Sequence, residues 1–281
     1  MIPISEADID RLIAEDVALG DLTTRTLGIA GQPGHISFAA RDPMVACATE
    51  EAARILGRLG AAPRLLIPSG QAVVPGTLLL EATGTAGALH AGWKVSQTLM
   101  EWSAGIASSV RDIIDAARAV TPSIAVACTR KSVPLTRALS IKAVLAGGGA
   151  MHRTGLSDTI LVFPEHRAFL HDETLRTTLV RMRVAAPERT IVVEVADEGD
   201  ALLAIAAGAD VVQLEKFSPE AVAKLLSRLD GARPARTRIA VAGGVNAGNA
   251  AAYARAGADV LVTSAPYTAR PRDVQVRIAA A

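Results

Sequence analysis

From about residue 110 the chain repeats one rhythm: a short, largely apolar run, then a longer stretch with helical periodicity. Ile124–Cys128, Thr159–Phe163, Thr190–Val195, Asp210–Leu214, Arg238–Ala242 and Asp259–Thr263 read as strands. Residues 172–186, 198–207, 218–229 and 247–256 read as helices between them. Strands apolar along their whole length are buried on both faces, which is the signature of a parallel sheet covered by helices. Two Gly-Ala-Asp tripeptides, at 208–210 and 257–259, each stand between a helix and a strand. The Gly closes the helix and the Ala-Asp leads into the strand. This punctuation favours a barrel over an open sheet, so the functional residues are expected where the strands end.

The first third follows another pattern. Ser5 caps a short amphipathic helix, and Glu15-Asp16 to Thr24 forms a polar loop. His35–Ala40 reads as a strand, with Met44–Cys47 as its partner across Arg-Asp-Pro. Thr49–Leu59 reads as a helix; Arg64–Ile67, Gln71–Val74 and Thr77–Ala82 read as short strands between Pro and Gly turns. A long helical stretch begins at Gly87. The expected division is an N-terminal α/β domain over 1–108 and a barrel domain over 109–267, with 268–281 packing back on the first.

Half of the residues are hydrophobic and only 3% aromatic, a balance that suits packed helices and parallel strands. The net charge of +1 gives no global field toward nucleic acid or a membrane surface, so any anion site is local. No apolar run is long enough to span a bilayer, and the N-terminus lacks the basic and apolar regions of a signal peptide. Cys47 and Cys128 stand far apart in apolar stretches and read as buried thiols of a cytoplasmic protein.

The strand ends deliver Thr129-Arg130-Lys131, Glu165-His166, Glu194, Glu215-Lys216, Gly243-Gly244 and Thr263-Ser264 to one rim. Arg130 and Lys131 are separated from His152 and Arg153 by the helical run Arg137–Leu145 and Gly147-Gly148-Gly149. That helix is about 15 Å long, so both basic pairs can face one pocket if it lies across the mouth. Such a pocket suits carboxylates or phosphates; the alternative is a helix with solvated basic ends. Glu194 lies inside an apolar strand and needs a cation, a metal or solvent access. With Glu215 it could hold a hydrated divalent cation or stabilise an oxocarbenium-like centre, and pairing alone leaves both open. Gly243-Gly244 allows close backbone approach to a phosphate, or is simply a turn. Dinucleotide and P-loop fingerprints and a Gly-x-Ser-x-Gly elbow are absent.

Glu15-Asp16 with Gly20–Thr24, Gly105–Ser108, Thr129-Arg-Lys131 with Pro134, Gly147–Arg153, Val193-Glu-Val195, Leu214-Glu215 and Gly243–Asn246 occur in the order of the quinolinate phosphoribosyltransferase family, which the chain resembles over nearly its whole length. The resemblance implies an N-terminal α/β open-faced sandwich, an incomplete parallel α/β barrel of the type II phosphoribosyltransferase kind, and a homodimer with a shared active site. It implies transfer of the phosphoribosyl group of phosphoribosyl pyrophosphate with Mg²⁺. By its motifs, Arg130, His152 and Arg153 face the acceptor acid, and Lys131 serves the acid or the pyrophosphate. Glu194 and Glu215 face ribose and Mg²⁺, and Gly243 and Gly244, with Ser264 close by, face the 5′-phosphate.

The chain departs from the family's motifs at several positions, and Lys94 and Phe163 put two of these departures on the acceptor half. Lys94 stands where the family has an arginine from the second subunit, and Lys lacks the bidentate fork. Phe163 replaces a substrate-facing lysine, Glu215-Lys216 replaces Asp-Asn, and Ala240 and Ala242 replace polar residues. These features are similar to those of the ModD group, a branch associated with molybdate-transport genes. Three functions are compatible: phosphoribosyl transfer to a small anionic heterocycle, quinolinate phosphoribosyl transfer for NAD biosynthesis, or non-catalytic binding of an oxyanion or nucleotide.

Overall fold

The computed structural model describes residues 4–171, 173–229 and 234–281. Along the chain, α1 (Glu6–Val17) and α2 (Leu22–Thr26) precede β1 (Pro33–Ala40), β2 (Met44–Val45), α3 (Thr49–Arg58), β3 (Ala62–Leu65), β4 (Ala72–Val73), β5 (Leu78–Thr85) and the long α4 (Ala86–Arg118). Then come β6 (Ala125–Cys128), α5 (Arg137–Ala146), β7 (Ala150–Met151), β8 (Ile160–Val162), α6 (Pro164–Arg167) and α7 (Leu175–Ala185). The last part holds β9 (Ile191–Val195), α8 (Glu198–Ala207), β10 (Val211–Glu215), α9 (Pro219–Leu229), β11 (Arg238–Ala242), α10 (Ala250–Arg255), β12 (Val260–Thr263) and β13 (Val274–Ala280). The helix expected from 172 runs from Leu175; position 172 lies outside the described residues.

Two compact units result. The first holds the chain through Arg111, Ser132–Gly148 and Pro266–Ala281. Its sheet is antiparallel in the order β13-β1-β5-β3. Alternation along β1 buries Ile36, Phe38 and Ala40 against Leu56 of α3 and Leu89 and Met100 of α4. The expected pairing of Met44–Cys47 with β1 does not occur: β2 pairs with β4, Met44 opposite Val73. Both edges of β1 are taken by longer partners, β5 and β13, whose ladders satisfy more backbone groups than a two-residue strand could. Lys142 of α5, only 3% exposed, is held between Glu50 and Glu51 of α3, with the Glu50 contact at 3.0 Å. Burial alone would raise the Glu50 carboxyl. Hydrogen bonds from the Ser69 hydroxyl and backbone N–H, with Lys142, outweigh it and bring the carboxyl down to about 2.

The second unit, Asp112–Lys131 with Gly149–Ala265, is a seven-stranded parallel sheet in the order β7-β6-β12-β11-β10-β9-β8. Read as a circle, this is chain order, with the ladder interrupted between β7 and β8: an incomplete barrel. Val193, Leu214, Val241 and Leu261 are fully buried in it. The two Gly-Ala-Asp tripeptides act alike. Gly208 and Gly257 both take φ of +93°, ending α8 and α10. Asp210 then accepts the Ile191 N–H at 2.9 Å, and Asp259 the Ile239 N–H at 2.7 Å, so each carboxylate pins the start of a neighbouring strand. The parallel direction puts every strand's C-terminal end on one rim.

Candidate active site

Arg130, Lys131, His152, Arg153, Phe163, Glu194, Glu215, Gly243, Gly244 and Ser264 all belong to the second unit, at or just beyond its strand ends. The helix between the basic pairs, α5, belongs to the first unit. Within the second unit adjacent strand ends bring the pairs together: Cys128 of β6 lies opposite Met151 of β7, and the His152 N–H donates to the Cys128 carbonyl at 2.9 Å. The two-residue β7, hidden in a Gly-rich segment, has no strand signature in the sequence.

The basic wall is buried. Arg153 is 9% exposed, and the Arg130 Nε is buried without a hydrogen-bond partner among the described residues. Burial pulls Arg153 below its ordinary value, and Arg130 adds to that; burial and Arg153 do the same to His152. Two guanidiniums close enough to repel, and a histidine biased toward its neutral form, make a receptor for an anionic group. The Phe163 ring lies 5.6 Å from the Arg153 guanidinium and stacks on His166 at 5.6 Å and 23°. The Phe163 N–H donates to His166 Nδ1 at 3.0 Å, which requires that nitrogen to be unprotonated and holds the ring beneath Phe163.

Glu194 and Glu215 form the acidic wall. Burial pushes the Glu194 carboxyl up, and Glu215 and Glu165 push it further; a hydrogen bond from Gln213 and the charge of Lys131 oppose this. The direct partner of Glu194 is thus an amide, Gln213 Nε2 at 2.6 Å, and not a cation. The influence of Lys131 on Glu194 links the acidic wall to the Thr129–Lys131 segment. Thr129 and Ser264 hydroxyls meet at 2.5 Å across the ends of β6 and β12. Glu165, expected on the rim, acts on Glu194 there, whereas Gln213 has no place among the residues expected from the sequence. The signal for Gln213 was an amide in the middle of an apolar strand.

Beyond β11, Gly243 and Gly244 take φ of +87° and +91° in succession. A Cβ on Gly243 would stand 2.8 Å from Glu215 Oε1 and 2.9 Å from the Lys216 nitrogen, whereas one on Gly244 would meet open space. The Gly244 carbonyl accepts from the side chains of Asn246 at 3.1 Å and Asn249 at 3.0 Å, which staples the turn. Gly243→Ala should therefore lower stability by about 2–3 kcal/mol through strain and collision. Gly244→Ala should cost about 1 kcal/mol, through backbone strain alone. Thermal unfolding of both variants checks the order; equal losses would contradict this geometry.

Lys94 belongs to the first unit, on α4. There its ammonium lies 4.4 Å from the Trp93 ring centre and donates to Gln97 at 3.1 Å.

A parallel α/β barrel whose mouth carries a guanidinium wall, paired carboxylates and a double-glycine turn has the layout of an enzyme that handles a phosphorylated sugar. Comparison with known proteins gives the particular case. Residues 21–104 and 106–277 match the N-terminal and C-terminal domains of quinolinate phosphoribosyl transferase. The chain is 51% identical over 257 residues to a pyrophosphorylase ModD of Rhodobacter capsulatus, covering 92% of this chain and 98% of that one. It is 40% identical to a ModD pyrophosphorylase of Pasteurella multocida, over 99% of each. NadC from Streptococcus pyogenes superposes with a TM-score of 0.89, at 22% identity and with each chain fully covered. The chain belongs to the quinolinate phosphoribosyltransferase family and is an enzyme of the phosphoribosyltransferase class. No helix among the described residues is long and apolar enough to cross a membrane.

Proposed function

We propose that this enzyme transfers the phosphoribosyl group of phosphoribosyl pyrophosphate to a small, anionic, planar heterocycle, as a cytoplasmic homodimer of the ModD branch. The observation that carries this is the common rim: the parallel sheet sets the ends of β9 and β10, with Glu194 and Glu215, on the same side as the ends of β6 and β7, which lead into Arg130, Lys131 and Arg153. Arg130, Arg153 and His152 would receive the acceptor's carboxylate, with Phe163 against its ring and Lys94 contributed from a second subunit. Gly243, Gly244 and Ser264 would cradle the 5′-phosphate, and Lys131 the pyrophosphate. In the transfer, a ring nitrogen of the acceptor bonds to the anomeric carbon, and the pyrophosphate oxygen leaves with the bonding electrons. The positive charge that develops on the ribose is met by Glu194 and Glu215.

The same two carboxylates suit Mg²⁺, which takes one or two carboxylates and completes its shell with water and substrate phosphates. Among the described residues no cluster of three or more His, Cys, Asp or Glu is placed to hold a metal ion by itself. Bound there, Mg²⁺ would neutralise the leaving pyrophosphate.

Calorimetry with millimolar phosphoribosyl pyrophosphate and Mg²⁺ should give measurable binding heat. Its absence would overturn the proposal. A narrower reading, quinolinate as the acceptor, draws on the pair of guanidiniums, which could take two carboxylates. Against it stands Phe163, an uncharged ring on the acceptor wall. Quinolinate consumption, followed directly, separates the two acceptors. The molybdate link rests on the relatives' name alone.

A further inference from the structure

Gln213 is the least expected residue of the barrel. It is 4% exposed, in the middle of β10, between Val212 and Leu214, both fully buried. A buried amide needs partners for both ends. Its nitrogen has one: Nε2 donates to Glu194 Oε2 at 2.6 Å, across the register that sets Gln213 opposite Glu194. Its carbonyl has none: Oε1 is buried and unpaired among the described residues. The orientation is dictated by chemistry, since an ionised carboxylate only accepts and must face the NH₂ group. The oxygen is left as an acceptor in search of a donor.

The surroundings say where the donor comes from. Gln213 and Glu215 lie two apart on β10 and so share a face of the strand. On the neighbouring strand the residues opposite them are Ala240 and Ala242, both buried, whose methyl side chains offer the amide oxygen no donor. Phosphate and pyrophosphate oxygens only accept at neutral pH. The ring hydroxyls are therefore the donors that a phosphoribosyl group brings to this wall.

We infer that Gln213 is a positioning and specificity residue: its NH₂ group aims Glu194, and its free carbonyl oxygen accepts a hydrogen bond from a ribose hydroxyl. This rests on the phosphoribosyl reading above, and it adds a residue that reads the sugar itself. A buried acceptor left unmatched makes a deoxy sugar bind worse, beyond the loss of one contact.

The test compares ribose 5-phosphate with its 2-deoxy and 3-deoxy counterparts by calorimetry, on the wild type, Gln213→Met and Gln213→Leu. The wild type should bind one of the deoxy sugars about tenfold more weakly than ribose 5-phosphate. In folded variants, verified by thermal midpoint, that ratio should fall to about twofold or less, while affinity for inorganic phosphate is unchanged. A merely structural role would weaken all sugars alike and keep the ratio. Equal affinity of the wild type for the three sugars overturns the inference, whatever the variants do. So does a preference that persists in both variants. Phosphoribosyl pyrophosphate with Mg²⁺ is titrated in the same series. If it binds while the sugar preference is absent, only the role of Gln213 falls. If the wild type binds neither it nor any sugar phosphate, the phosphoribosyl reading falls, and this inference with it.

Discussion

Glu194→Gln should reduce turnover by about 10²–10³-fold while changing affinity for phosphoribosyl pyrophosphate far less. The substitution is isosteric, and the new amide oxygen still accepts from Gln213, so the strand and its neighbours keep their packing. On the proposed reading, what disappears is a negative charge that would face the anomeric carbon, needed most when that carbon becomes electron-poor. Such a loss falls on kcat and leaves ground-state binding largely intact. Steady-state kinetics beside calorimetry makes the distinction. If the wild type binds the sugar phosphate but shows no turnover with any heterocyclic acid, the protein is a binder. If the variant turns over normally, Glu194 is not in the reaction.

Lys142→Met should destabilise the protein by about 3–5 kcal/mol, enough to unfold a marginal domain. The ammonium is 3% exposed between Glu50 and Glu51, and its removal leaves Glu51, itself 4% exposed, with Arg54 at 4.0 Å as its remaining cation, while Glu50 keeps its bonds from Ser69. Removing the opposing charge as well should recover much of the loss: Lys142→Met with Glu51→Gln should be more stable than Lys142→Met alone. Urea unfolding of the three proteins tests this, and a double variant no better than the single would refute it. The Glu50 carboxyl, brought down to about 2, gives the same cluster a pH signature. Its folded value lies below the ordinary one, so its contribution is complete above about pH 4.5 and is lost as the pH falls toward 2.

The barrel was legible because its strands announce themselves twice, by unbroken apolar runs and by the Gly-Ala-Asp stops. Strand ends then predicted the rim, and Arg130, Glu194, Glu215 and Gly243 are found there. What could not be read was anything decided by pairing between distant segments. Nothing local in Met44–Val45 says that its partner is Ala72–Val73, and Ala150–Met151 is too short to have a periodicity. The basic pairs were expected together by way of a helix, and are together by way of neighbouring strands. Gln213 was passed over because an amide within a strand looks like a tolerated exception until its two ends are followed to their partners.

The break in the ladder falls between β7 and β8, and the two segments that leave those strands carry His152, Arg153 and Phe163. Glu194, Glu215 and Gly243, by contrast, ride on or just past β9, β10 and β11, each bonded on both sides. Of the residues proposed to face an acceptor, His152, Arg153 and Phe163 therefore hang from edge strands, where a changed residue disturbs few backbone bonds, while Arg130 follows β6, bonded on both sides. The half suited to the sugar phosphate is welded into the sheet. On the proposed division of the mouth, a protein built this way could exchange one co-substrate for another over evolutionary time and still keep its hold on the donor.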